Sequence, residues 1–234
     1  MFLSLKQKIS ILFCIILAAN VSSSQVRQPR DVVEAYRVCE RFQKLMAENL
    51  DFDRAFEATF TRNARRRREI AIAEGEFGNL DYSRINDAAL IDAFKSRMQI
   101  LYLTLPLASP ADKEEEELFF PPAIKAIFDR KPPADAREFS SYVVQLKRDA
   151  TDFRAHLDQL ARRYPSVAER VRKFKIDLTK ENKLSEHKVQ PLTAYSHGHV
   201  LGPREEYYQI GDYAVIREGR EMRIIGIRFF TRLF

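Results

Sequence analysis

The segment Ser196-His197-Gly198-His199 places two imidazole side chains one residue apart. In an extended chain, residues i and i+2 share a face, which is acceptable geometry for two ligands of one metal ion. A metal site needs at least a third ligand, and the candidates stand at no diagnostic spacing: His187, Glu205, Glu206 and Asp212. The pattern therefore favours a polar turn with His197 and Gly198 at its tip, and we expect neither a metal ion nor a cofactor.

Acid–base catalysis is an alternative function for the same region. Tyr207, together with Tyr208 and Tyr213, would line a pocket in which His197 or His199 serves as the general base. The sequence contains no glycine-rich phosphate loop, no Gly-x-Ser-x-Gly elbow, no His-Glu-x-x-His and no Cys-x-x-Cys. These absences favour a non-catalytic protein over an enzyme.

Four consecutive arginines, Arg65, Arg66, Arg67 and Arg68, form the most conspicuous charged motif. On a helix their side chains sweep around the axis, and on a strand two point to each face. An anion pocket needs donors that converge, so this run alone does not make a specific site. We expect a solvated helix end or loop whose charges pair with scattered acids.

Two alternatives give the arginine run a more specific role. It faces Glu114–Glu117 across a groove, or it provides an electrostatic contact for anionic lipid, cell-wall polymer or nucleic acid. Nucleic-acid binding calls for basic residues interleaved with exposed aromatics on one face. The run shows no such pattern, so nucleic-acid binding is disfavoured. The electrostatic partners that remain are an anionic lipid and a cell-wall polymer.

The first 24 residues have the pattern of a secretory signal peptide. Lys6 and Lys8 precede an apolar run over 9–19, and small residues follow at 21–24. The run is shorter than the ~20 residues that a membrane-spanning helix needs. We expect cleavage before Gln25 and a secreted or periplasmic mature chain with no transmembrane segment.

The predicted mature chain must be stabilised by packing. It keeps 37 basic and 33 acidic residues, a net charge of +4 that does not by itself imply a polyanionic partner. Cys39 is its only cysteine, so no intramolecular disulfide can form. Because Cys39 lies on an apolar helical stripe, we expect a buried, inert thiol. Of the 17 Phe and nine Tyr in the whole sequence, 15 Phe and all nine Tyr lie in the mature chain, enough for a substantial core.

Apolar periodicity predicts helices over most of the chain. A first helix starts near Asp31 and a second is capped by Asp51 or Asp53; a third starts at Ser83 or Asp87 and stops at Pro106. Glu114–Glu117 suit a first helical turn. A short helical piece is predicted from Pro122 to Phe128.

Two longer seams follow, joined at Pro165. They predict an antiparallel helical hairpin, with an intermolecular coiled coil as the alternative. The residues of the two seams recur at steps of three and four: Phe139, Val143, Leu146, Ala150, Phe153, Leu157, Leu160 and Tyr164, then Val167, Val171, Phe174 and Leu178.

After Pro191 the pattern changes to short strands. The predicted strands are 192–195, 207–210, 213–217 and 222–230, and the turn Glu218-Gly219-Arg220 signals a hairpin. The last strand is apolar on both faces, so we expect it to be central or covered on both sides.

The two ends of the chain resemble a known superfamily. The opening DVVEAYRVCERFQKLMAENLDFDRAFEATF and the closing DYAVIREGREMRIIGIRFF are similar to the first helices and last hairpin of nuclear transport factor 2-like (SnoaL-like) cone domains. The two segments, 31–60 and 212–230, together contain 49 residues. The resemblance implies a curved sheet around a pocket for small-ligand binding, occasional enzymatic chemistry or dimerisation, with the helical hairpin as an insertion.

The sequence thus predicts a mainly helical α+β fold, an antiparallel helical hairpin plus a small C-terminal antiparallel β-sheet. The protein is expected to be a non-catalytic binding or structural protein that contacts an unknown protein partner or a small apolar ligand, and a homodimer is left open. The expected organisation is a signal peptide at 1–24 and one mature domain at 25–234, comprising N-terminal helices (31–105), a helical hairpin region (112–185) and a β-sheet (190–234).

Overall fold

The computed structural model describes residues 30–75, 77–180, 187–191 and 206–227, so the predicted leader and the segment with His197 and His199 lie outside it. The described part confirms the mainly helical α+β class. Its helices are α1 (Arg30–Asn49), α2 (Phe52–Thr59), α3 (Ala64–Gly75), α4 (Asp87–Thr104), α5 (Lys113–Phe119), α6 (Pro122–Phe128), α7 (Phe139–Arg163) and α8 (Pro165–Lys180), with 3-10 turns at Tyr82–Arg84 and Leu105–Leu107. Its strands are β1 (His187–Pro191), β2 (Glu206–Ile210), β3 (Tyr213–Glu218) and β4 (Glu221–Ile227).

The first two helices follow the sequence prediction closely. The Asp51 side chain caps α2 by accepting a hydrogen bond of 3.0 Å from the Arg54 amide. The three phenylalanines of this region are fully or almost fully buried and touch one another, with Phe56 and Phe60 rings 4.5 Å apart. Most of the apolar stripe predicted for this region is buried, namely Val32, Cys39, Phe42, Met46 and Leu50, and its remaining member, Tyr36, is partly buried.

The turn between α1 and α2 is held by more distant helices. Leu50 has a positive φ of 52°, a conformation that costs free energy for a residue with a Cβ. Its carbonyl accepts hydrogen bonds from Gln99 Nε2 at 2.7 Å and Arg154 Nη2 at 2.6 Å, while Gln99 Oε1 accepts from the Phe52 amide at 2.8 Å. Side chains of α4 and α7 therefore fix the angle at which α2 leaves α1.

The arginine run corrects the sequence prediction. It does not end a helix; it occupies the beginning of α3, whose first residue is Ala64. The Asn63 side chain accepts a hydrogen bond of 3.1 Å from the Arg66 amide, as expected of a helix cap. Because cations are disfavoured at the positive end of a helix dipole, these arginines need nearby acids to offset the effect.

The proline-bounded elements have the predicted limits. Helix α6 runs from Pro122 to Phe128, and α5 carries Glu114, Glu115 and Glu116 in its first turn. Helix α5 is fastened to α8 by Arg170, whose Nη2 lies 2.9 Å from a Glu115 carboxylate oxygen. The Glu114–Glu117 segment thus has a cationic partner on α8, outside the arginine run.

The predicted antiparallel hairpin is present as α7 and α8, separated by Tyr164 alone. Tyr164 is extended, as expected before Pro165, and its carbonyl accepts from the Val167 amide at 3.0 Å. The two seams do not pack only on each other. Helix α7 packs chiefly against α4, and α8 packs against α1.

The sheet has the antiparallel order β1-β2-β3-β4. The β3–β4 turn contains Gly219 with a φ of 63°, in agreement with the predicted hairpin. Strand β4 lies at the edge of the sheet but is buried along both faces from Met222 onward. Its edge is covered by the end of α2, where Phe60 bridges Ile224 and the Thr61 amide donates to the Ile224 carbonyl at 3.0 Å.

The first described strand was not predicted from the sequence. It lies at His187–Pro191, ending at the proline after which the strands were expected to begin, and it pairs with β2 from His187 opposite Ile210 to Pro191 opposite Glu206. The segment HKVQP lacks apolar alternation, so periodicity gave no signal. The predicted strand at 192–195 lies outside the described residues.

Candidate functional site

An apolar pocket lies between α4, α6 and α7. Its volume is about 260 Å³. The apolar lining comes from all three helices and the loop after α6: Ile100, Leu101, Ile127, Phe128, Pro132 and Leu146. Three polar side chains, Arg97, Arg130 and Tyr142, complete the wall.

Phe128 is an exposed part of this wall. Helix α6 is limited to seven residues, because Pro121 precedes it, Pro122 is its first residue and Pro132-Pro133 follow shortly after. Phe128 is its last residue and is 44 % exposed, an unusual position for a large aromatic side chain. Its ring contacts Phe120 and Phe153 edge-on at 5.9 and 5.8 Å, so the rim has a defined position.

Tyr142 is buried and fixed by aromatic neighbours. Its ring lies 6.2 Å from Phe77 and 6.0 Å from Phe139. Phe77 in turn packs over Gly75, where a Cβ would come within 2.2 Å of the Phe77 ring. Glycine at the end of α3 is therefore required for the packing behind this pocket.

The two arginines are held by other polar groups. Arg130 binds Asp149 through two hydrogen bonds, Nε to Oδ2 at 2.5 Å and Nη2 to Oδ1 at 2.9 Å. Asp149 is buried and also accepts from Gln145 at 2.9 Å. Arg97 donates a hydrogen bond to the Tyr142 hydroxyl. Both guanidiniums are therefore oriented within the wall.

This arrangement suits binding better than proton transfer. Burial raises the pKa of Tyr142, although the Arg97 guanidinium opposes the shift. The phenol therefore remains protonated at neutral pH. Small-molecule sites characteristically combine an apolar lining with a few oriented polar groups, as here.

A second recess, of about 310 Å³, lies between α2, α4 and α7 but is dominated by ion pairs. Lys95 Nζ contacts Asp53 at 2.5 Å, and Lys147 Nζ contacts Asp92 at 2.6 Å. Burial disfavours the charge of Lys95, but the hydrogen bonds to Asp53 and Glu57 outweigh this and raise its pKa. The charges of this recess satisfy one another, so it is a structural network despite its larger volume.

The tyrosines of the predicted catalytic pocket have separate environments. Tyr207 is fully buried. The Tyr208 hydroxyl donates to Asp31 at 3.0 Å, and the Tyr213 hydroxyl accepts from Gln43 at 3.2 Å, which places both against α1. Burial raises the pKa of Tyr213. Because His197 and His199 lie outside the described residues, their proposed partnership with these tyrosines stays a prediction.

The arginine run diverges, as its spacing predicts. Arg65 is exposed, whereas the next three side chains contact acids on different elements. Arg66 lies 3.6 Å from Glu218, Arg67 lies 2.6 Å from Glu57, and Arg68 pairs with Asp87. These partners are scattered acids, as expected, and none of the three belongs to Glu114–Glu117, the alternative partner segment.

Cys39 has the predicted environment. It is fully buried on the α1 stripe, and burial raises the pKa of its thiol. A thiol in this environment is a poor nucleophile.

Comparisons with protein-family models, curated proteins and solved structures found no match for this chain. In the described part of the chain, no helix is both long and apolar enough to span a bilayer. Within the same residues, no three His, Cys, Asp or Glu side chains are grouped so as to hold a metal ion. The geometry of the pocket therefore carries the functional reasoning.

Proposed function

We propose that the chain is an exported, non-catalytic binding protein whose pocket between α4, α6 and α7 takes a small apolar ligand. The observation that carries this proposal is the apolar lining around a volume of about 260 Å³. Export is supported by the leader pattern at 1–24.

The volume limits the size of the ligand. At ~30 Å³ for each water molecule, the pocket has room for about nine waters. Drug-sized ligands generally occupy ~300–1,000 Å³, so the pocket suits a compound of one or two rings or a short aliphatic chain. For such a ligand we expect a binding free energy of about 4–7 kcal/mol, or a Kd of roughly 10 µM to 1 mM.

The test uses 1-naphthol, whose fluorescence responds to an apolar environment. Leu101 is half-buried and lines the pocket, so Leu101→Trp should fill it without disturbing the deeper core. Val144, 60 % exposed on α7, provides the matched control Val144→Trp. The natural chain has no tryptophan, so each variant also carries a single fluorescent reporter of its own folding.

We expect saturable naphthol binding to the natural chain and to Val144→Trp, and its loss in Leu101→Trp. The less bulky Leu101→Phe should weaken binding to an intermediate degree. An absence of saturable binding in the natural chain, or equal binding by both tryptophan variants, would contradict the proposal.

A further inference from the structure

A separate recess lies between the solvent face of α1, the end of α2 and the start of β4. It has a volume of about 250 Å³. Arg37 and Arg41, one helical turn apart, both line it, and Arg223 of β4 contributes a third guanidinium. We call this space, lined by the three arginines, the arginine recess.

The three arginines of the arginine recess differ in how firmly their side chains are held. Arg223 is only 4 % exposed; its Nη1 donates to the Ala58 carbonyl at 2.9 Å and its Nη2 pairs with Glu221. Arg37 and Arg41 are exposed, and within residues 30–75, 77–175 and 207–227 neither lies within ion-pair distance of a carboxylate.

The acids that line the recess are already paired. Glu34 accepts from Arg30 at 2.9 Å and from Arg217 at 2.7 Å, and Glu221 is bound to Arg223. Arg217 also contacts Asp31 at 2.6 Å. Five guanidiniums therefore stand against three carboxylates, and the surplus positive charge resides on Arg37 and Arg41.

This geometry meets the requirement that the four-arginine run fails. Arg37 and Arg41 line one concave space from the same helix face, a placement that allows both guanidiniums to donate to the oxygens of a single anion. Val38 and Met222 also line the recess and supply apolar surface beside the charges. A phosphate group attached to a small organic moiety satisfies both features.

We propose that the arginine recess binds a phosphate monoester through Arg37 and Arg41. Its source is a free small molecule or the head group of a lipid. The site is independent of the apolar pocket between α4, α6 and α7, so either proposal can fail without the other.

The test measures binding of glycerol 3-phosphate by calorimetry, and binding to phosphatidylcholine vesicles with and without phosphatidic acid. The test variant is Arg37→Gln with Arg41→Gln. The control, Arg148→Gln with Lys113→Gln, removes the same charge from exposed residues of α7 and α5, which contribute nothing to the recess. All four substituted side chains are exposed, so both variants are expected to fold.

We expect affinity to fall roughly tenfold for each arginine removed, the factor given by the weaker charge-assisted hydrogen bonds, and to be unchanged in the control. Such a loss with glycerol 3-phosphate identifies a free ligand; the same loss with vesicles alone identifies a lipid. The variant Arg37→Lys with Arg41→Lys keeps the charge but not the fork of donors, so it should bind more weakly than the natural chain.

Three results would overturn the proposal. The first is no binding of either probe by the natural chain. The second is an equal loss of binding in the glutamine variant and its charge-matched control. The third is full affinity in the lysine variant, which would reduce the site to general electrostatic attraction.

Discussion

Substitution of Asp149 tests how the wall of the apolar pocket is built. Asp149→Asn removes the charge of a side chain that is 5 % exposed and accepts three hydrogen bonds, two from Arg130 and one from Gln145. An asparagine would present its amide hydrogens to at least one of these donors. The Arg130 guanidinium would then remain in the pocket wall without its counterion.

The expected magnitude follows from the burial of both partners. Removing one member of a buried pair costs ~3–5 kcal/mol. The Arg130 side chain is 30 % exposed and can recover some hydration, so we expect a loss of about 2–3 kcal/mol in the free energy of unfolding. For a chain of this length, that corresponds to a fall of roughly 5–10 °C in Tm.

The assay is urea unfolding followed by circular dichroism, with Asp152→Asn as the control. Asp152 is exposed on the same helix, so its substitution should change stability by less than ~0.5 kcal/mol. Replacing the pair with apolar residues, Arg130→Met with Asp149→Leu, should recover most of the loss. If Asp149→Asn proved as stable as Asp152→Asn, the structural role given to this ion pair would be refuted.

Three further predictions concern other parts of the chain. Arg68→Gln should lower the free energy of unfolding by about 1–2 kcal/mol, because Arg68 donates to the carbonyls of Tyr82 at 2.5 Å and Ile85 at 3.3 Å and also pairs with Asp87. The control Arg65→Gln, at an exposed residue, should leave stability unchanged. Equal effects of the two substitutions in thermal unfolding would contradict the divergent geometry of the run. The side-chain hydrogen bonds from Arg217 lower the pKa values of Asp31 and Glu34. The stability that these two ionised carboxylates contribute is therefore fully present above their ordinary pKa values and is lost as the pH falls through the lowered values. The stability difference between the natural chain and Arg217→Gln should therefore be present above about pH 5 and shrink towards lower pH, and a difference independent of pH in urea unfolding would contradict this. Cys39, tested in a chain that begins at Gln25, should react with a thiol reagent only in denaturant, and rapid reaction of the native chain would show that its burial is incomplete.

Local sequence signals predict the helices well. Alternating steps of three and four residues identify α7. The flanking prolines predict α6 with its observed limits, Pro122 and Phe128. These features depend on neighbours within one or two turns. The resemblance to cone domains at the two ends of the chain stays a prediction.

The differences from the sequence prediction arise where the local signal is weak or ambiguous. Asn63 lies two residues before Arg65 and is a residue type favoured at helix N-caps, so it marks the start of α3, whereas the run of positive charges favours the end of a helix. Strand β1 contains too few apolar residues to be recognised, and its pairing with β2 depends on residues about 20 positions away.

The candidate sites are harder to predict because they combine distant segments. Leu101 and Leu146 meet at one pocket only because α4 and α7 pack together. Arg37 and Arg41 lie one turn apart on α1, a spacing visible in the sequence, but their recess also requires Arg223 from β4. Periodicity shows which helix face is apolar; it does not show where two packed helices leave a space.

The most direct test of the binding proposal is methyl NMR of the natural chain during titration with toluene. We predict saturable shifts of the methyl signals of the pocket residues Ile100, Leu101, Ile127 and Leu146, with no change at the exposed Val144. Shifts of equal size at Val144 and in the pocket, or none at all, would contradict the assignment of this pocket as the ligand site.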